Sequence, residues 1–256
     1  MNLHFRKDGE GEPLLLIHGL FGSLENLGYL AKQFSAHFTV YSLDMRNHGR
    51  SPHQDLMSYE LMVGDLLRFM EQQQLQRVNL LGHSMGGKVA MQLALSHPER
   101  VSRLIVADIA PVTYEDHHRD IFKGLLSFDP ATLTSRAEAD RLLAPFVHEL
   151  AVRSFLLKNL VRRSDGLGGF GWRVNLPVLH GQYQNIMRGQ QGTPFEGPTL
   201  FIKGGNSDYI LPRHRDRVAK LFPHAELKVI SGTGHWLHAE KPDLFCTLSL
   251  RFLQAG

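Results

Sequence analysis

One cysteine in 256 residues, Cys246, excludes an intrachain disulfide, so packing and hydrogen bonding must hold this chain together. Cys246 falls in the apolar pattern of the last helix and reads as a buried thiol. No apolar stretch approaches the roughly 18 residues that span a bilayer. Net charge is scarce too. Against 25 acidic residues stand 28 basic ones, a balance of +3 with no dense Lys/Arg block, which argues against nucleic-acid binding. A secretion signal is missing from the reading: Arg6, Lys7, Asp8, Glu10 and Glu12 crowd the start, and the first apolar run is far too short, so a cytoplasmic protein is expected. The fifteen histidines include His117-His118 and the His235/His238 pair, but neither comes with carboxylate or cysteine partners at ligand spacing. No metal and no cofactor is expected.

What is present is alternation. Leu14-Leu15-Leu16-Ile17 is a short apolar run, as a strand buried on both faces should be, followed by a glycine loop and a helix over 24–34. Phe38-Thr39-Val40-Tyr41-Ser42-Leu43-Asp44 reads as the next strand, and 59–74 has helical spacing. Another strand, 101–108, ends in an acid. Strands at 199–203 and 226–230 and a closing helix over 242–253 complete the pattern. This is an α/β protein with a mostly parallel twisted sheet flanked by helices. From 113 to 195 the pattern is helical with no alternating strands, and Ser135-Arg136-Ala137-Glu138 opens one helix as a capping box. The expected organisation is a core of 1–112 and 196–256 with an inserted helical cap, or lid, at 113–195.

Gly82-His83-Ser84-Met85-Gly86 spells G-x-S-x-G, between a buried strand over 77–81 and a helix that Pro98 ends. That context lifts a serine hydroxyl out of a sheet on a strained turn, where side chains at the two glycine positions would collide with neighbouring backbone. Ser84 is the candidate nucleophile. Its base should be a histidine, the side chain that titrates near neutrality. His235 has the right setting, in a glycine loop directly after a strand. The ends of parallel strands converge on one edge, so Ser84 and His235 can meet there. Two acids end neighbouring strands, Asp108 and Asp208, and the pattern leaves both open. Asp44 and Asp65 read as turn and helix-surface residues. Oxyanion donors are expected from the backbone N–H groups of Met85 and Leu20.

With His18-Gly19-Leu20, Asp44-Met45-Arg46-Asn47-His48-Gly49-Arg50-Ser51, Gly82-His83-Ser84-Met85-Gly86-Gly87 and Gly234-His235-Trp236, the chain resembles the α/β-hydrolase superfamily over essentially its whole length. The strings HGLFGS, DMRNHGRSP, GHSMGGK, DIAPV, GGNS and GHWLHAEKP resemble the bacterial YbfF-like esterases. The resemblance implies the α/β-hydrolase fold, Ser84 as nucleophile and His235 as base. It favours Asp108 as the acid, with Asp208 the alternative. It also implies a serine esterase or thioesterase acting on small-molecule acyl esters of short to medium chain, with acyl-CoA thioesters as further candidates. A lyase or C–C bond hydrolase using the same triad is the alternative reading.

Candidate pocket residues are Phe21, His83, Phe155, Leu157, Trp172 and Trp236. Residues 151–192 hold Arg153, Lys158, Arg162, Arg163, Arg173 and Arg188 against Asp165, a local +5 that is either a solvated face or a phosphate-attracting rim. Gly166 to Gly171 spells G-x-G-x-x-G, but it lacks the strand before and helix after that a dinucleotide site requires, and reads as a loop. Nothing in the pattern sets the oligomeric state.

Overall fold

The structure, a computed structural model, describes residues 1–164, 166 and 168–255. Asp165 and Leu167, which belong to the charge count and the glycine run above, lie outside the described residues. Among the described residues nine strands form: β1 (Phe5–Asp8), β2 (Glu12–Ile17), β3 (Phe38–Leu43), β4 (Val78–His83), β5 (Val101–Ala107), β6 (Leu160–Arg162), β7 (Phe170–Trp172), β8 (Thr199–Gly204) and β9 (Ala225–Ile230). Seven make one sheet in the order β1-β3-β2-β4-β5-β8-β9. Every pairing in it is parallel except β1 with β3.

The apolar runs explain why the sheet is sandwiched. Leu14 and Leu16 enter one core layer and Leu15 and Ile17 the other, because successive side chains of a strand point to opposite faces. On one face lie α1 (Gly28–Phe34) and α11 (Pro242–Leu253), with Phe34 and Phe245 fully buried. On the other lie α2 (Tyr59–Gln72) and α3 (Met85–Ser96), delivering Leu66, Phe69, Val89 and Leu93. Each such side chain contributes about 1.5–3 kcal/mol by leaving water. Ser58 caps α2 by accepting the Leu61 N–H at 3.3 Å. Cys246 is buried in α11, as its setting predicts.

Between β5 and β8 the chain leaves the sheet. It forms α4 (Arg119–Leu126), α5 (Arg136–Leu143), α6 (Leu150–Leu156), the β6–β7 hairpin, α7 (Leu176–Gly181) and α8 (Tyr183–Met187). The hairpin adds two short strands to a stretch expected to be helical with no alternating strands. Its three-residue strands pair antiparallel, Leu160 opposite Trp172, and are too short to show a period of two. After β8 come α9 (Arg215–Leu221), β9, and α10 (Leu237–Glu240). Among the described residues, no helix is long and apolar enough to cross a membrane.

Candidate active site

Ser84 sits between the end of β4 and the start of α3 with φ 53° and ψ −119°. A left-handed conformation is strained for serine, costing about 1–3 kcal/mol. Three things hold it. Its N–H donates to the Ala107 carbonyl of β5 at 3.0 Å. A Cβ on Gly82 would stand 2.2 Å from the Gly86 oxygen, and one on Gly86 would stand 2.2 Å from the Ile17 oxygen. The two glycines of the motif are therefore required by contact.

The loop between β9 and α10 carries His235 to the same edge. The Ser84 Oγ–H donates to His235 Nε2 at 3.0 Å, and the opposite ring nitrogen, Nδ1–H, donates to Asp108 Oδ2 at 2.7 Å. Asp108 follows β5, is fully buried and has φ 52°. Its carboxylate accepts two more hydrogen bonds, from the Gly204 N–H at 3.0 Å and from the Ser207 hydroxyl. The alternative acid, Asp208, is exposed, and among the described residues the acid hydrogen-bonded to His235 is Asp108. Its neighbour Ser207 turns inward and supports Asp108 instead.

Two side chains brace the imidazole that residue patterns did not single out for that purpose. Tyr209 stacks on His235 with ring centroids 3.9 Å apart and planes 20° apart, which fixes the plane of the ring. His83, inside the motif, donates Nε2–H to the His235 carbonyl at 2.9 Å. Burial holds the His83 pKa well below the usual imidazole value, so the ring is neutral.

The residues expected to supply oxyanion donors lie on the two segments that flank Ser84, the start of α3 and the loop after β2. Met85 opens α3, where first-turn N–H groups have no helical partner and the helix dipole is positive. On the facing loop, Phe21 has φ 60° and its N–H is taken by His48 Nε2 at 3.2 Å. The Leu20 N–H has no acceptor among the described residues. His48 donates Nδ1–H to the Arg46 carbonyl at 2.9 Å, while His18 donates to the Gly19 carbonyl at 2.8 Å and accepts the Met45 N–H at 3.0 Å. Each ring needs one bare nitrogen, so both are neutral. Burial accordingly lowers His18 to about 4 and His48 to about 3. The carboxylate of Asp44 accepts the Leu24 and Arg50 N–H groups at 2.7 and 2.8 Å. A Cβ on Gly49, at φ 56°, would lie 2.1 Å from that carboxylate. Asp65 corrects its surface reading: it is buried and takes two hydrogen bonds from Arg46, at 2.6 and 2.9 Å.

A cavity of about 750 Å³ opens over Ser84. Phe21, His83, Phe155 and Trp236 line it as expected, with Ile121, Phe146 and Val152. Leu157 and Trp172 do not. Leu157 is buried in the core, and Trp172 packs on Phe128 with centroids 5.8 Å apart. Of the six cations of 151–192, only Lys158 reaches the cavity. Arg153 pairs with Asp140 at 2.7 Å, Arg173 with Glu25 at 3.5 Å, and Arg162 lies over the Phe170 ring. The exposed acids Asp120, Glu149 and Glu240 line the mouth beside Lys158.

Comparison with known proteins gives a consistent picture. A family described as having the α/β hydrolase fold matches residues 12–242. Over 242 residues the chain is 40% identical to esterase YbfF of Escherichia coli, covering 94% of this chain and 92% of that protein. It is 41% identical over 249 residues to the sn-1-specific diacylglycerol lipase ABHD11 of Mus musculus, covering 94% and 80%. A solved structure of a marine microorganism esterase superimposes with a TM-score of 0.95 at 44% identity, over 98% of this chain and 99% of that one.

Proposed function

The chain belongs to the α/β-hydrolase family and is a carboxylic ester hydrolase, and from that membership we propose that it works through a Ser84–His235–Asp108 triad and an acyl-enzyme. His235 Nε2 takes the Ser84 proton as Oγ attacks the ester carbonyl. Asp108 fixes the ring and stabilises the imidazolium, and the Met85 and Leu20 N–H groups hold the oxyanion. His235 then protonates the leaving alcohol, and a water repeats the sequence to release the acid. The observation that carries this reading is the pair of contacts on one imidazole, 3.0 Å to Ser84 Oγ and 2.7 Å to Asp108 Oδ2.

We read residues 113–195 as a cap over a core of 1–112 and 196–256. Lys88 of α3 supports this division. Its buried Nζ donates to the Val112 carbonyl, where the chain leaves the core, and to the Met187 and Arg188 carbonyls, where it returns, at 2.9, 3.1 and 2.7 Å. Burial lowers its pKa to about 7, while three carbonyl acceptors match the three hydrogens of an ammonium.

The substrate class follows from the lining. Apolar walls suit a short- to medium-chain acyl group. Three acids against one lysine at the mouth suit an uncharged leaving group better than the polyphosphate of coenzyme A. The test is an acyl-chain-length profile on paired oxygen esters and coenzyme A thioesters, with a diketone series beside them. We expect higher kcat/KM on the oxygen esters at every length and no cleavage of the diketones. Thioesters preferred throughout would overturn the substrate reading, and diketone cleavage alone would point to the C–C hydrolase.

A further inference from the structure

The loop that carries Leu20 is held from above as well as from below. Phe21, the left-handed residue next to Leu20, is a bulky side chain in a conformation that favours glycine. Both of its backbone polar groups are occupied. Its N–H meets His48 of the core, and its carbonyl accepts a hydrogen bond from Asn159 Nδ2 at 2.7 Å. Asn159 lies 138 positions further along, in the turn between α6 and β6. It is 4% exposed. The same amide nitrogen donates to the Leu156 carbonyl at 3.3 Å, and two acceptors on one side identify that end of the amide as NH₂. The Asn159 backbone carbonyl accepts the Arg173 N–H at 2.8 Å, which ties the residue to the chain just past β7.

We infer that Asn159 is a positioning residue through which the excursion completes the oxyanion hole. Two fixed peptide planes, on either side of the Phe21 Cα, hold the backbone next to the Leu20 N–H in one conformation. With the excursion lifted, the Phe21 carbonyl loses its donor. The residue can then relax toward negative φ and swing the Leu20 peptide out of line. This rests on the serine esterase reading above.

The test uses Asn159→Asp, which keeps the shape and replaces the donor with an acceptor, and Asn159→Leu, which removes the donor. A trifluoromethyl ketone adds to the serine and places its oxyanion in the hole, so its affinity reports the hole itself. Removing an oxyanion donor outright costs roughly 10²–10³ in kcat. Misaiming one should lower kcat and ketone affinity together by about 10–100-fold, with KM changed less than about threefold. In the unaltered protein, ketone binding should slow amide exchange in residues 19–22 and 156–160 together, a readout that needs no variant to fold. Variants that keep kcat and ketone affinity within about twofold, or exchange protection confined to 19–22, would overturn the inference. Ser84→Ala separates the two levels: turnover or ketone adduct surviving in that variant would instead remove the serine reading beneath it.

Discussion

The floor and the roof of the cavity are built on different rules. At the sheet edge below Ser84, polar side chains are buried and their hydrogen bonds are assigned one by one. Asp108 takes three donors, His18 and His48 are each held in one tautomer, and Asp44 ties two loops. The roof contributes Ile121, Phe146, Val152 and Phe155, apolar and half-buried, with exposed acids around them. Hydrogen bonds have direction and fix atoms to fractions of an ångström, as proton transfer requires. Apolar contact is non-directional and tolerates substrates of varied shape. On the mechanism proposed above, the floor would set what reaction occurs and the roof on what.

The sharpest way to break this division is at the floor. Asp108→Asn should lower kcat by about 10⁴ by leaving His235 in the wrong tautomer, while Asp208→Asn should stay within about twofold. Comparable losses in steady-state assays of the two variants would refute the assignment of the acid.

Acid should weaken the floor in a defined window. Burial lowers His18 to about 4, His48 to about 3 and His238 to about 4, against about 6.5 when unfolded. A histidine whose folded pKa is depressed binds its proton first in the unfolded chain. Stability is therefore full above about pH 6.5 and falls as pH drops toward 4, by up to about 2 kcal/mol per histidine at pH 5. Urea unfolding at pH 8 and pH 5 should show the midpoint fall. An unchanged midpoint would mean that these rings are not neutral and buried.

The roof should answer in specificity rather than rate. Phe155→Ala should shift the acyl-chain-length optimum, changing relative kcat/KM between chain lengths by roughly tenfold. Trp172→Ala, away from the cavity, should leave that profile within about twofold. A shifted profile for Trp172 and none for Phe155 would place the wrong wall around the substrate.

How much of this was legible in the sequence follows the same line. The floor was legible where steric necessity leaves a signature: Gly82 and Gly86 cannot carry a Cβ, and their spacing locates Ser84. Where two residues met the same local description, legibility stopped. Asp108 and Asp208 both follow strands, and the difference lies in a left-handed Asp108 backbone and an inward Ser207, neither of which has a sequence period. The buried partnership of Asp65 with Arg46 joins an exposed-looking helix position to a loop 19 residues away. His48 sat in a motif already noted and Tyr209 just past another, but their contacts cross between loops. The roof was less legible still. Leu157 lies in the turn before β6 and Trp172 ends β7, in a hairpin of three-residue strands that leaves no periodic signature.

The measurement that bears most directly on the central claim is capture of the acyl-enzyme. The protein is mixed with a short-chain p-nitrophenyl ester, quenched in acid within the first turnovers, and mapped by peptide mass spectrometry. One acyl group on Ser84, formed at the rate of the nitrophenol burst, is the result expected. Steady turnover with no adduct, or an adduct on a different residue, would contradict it.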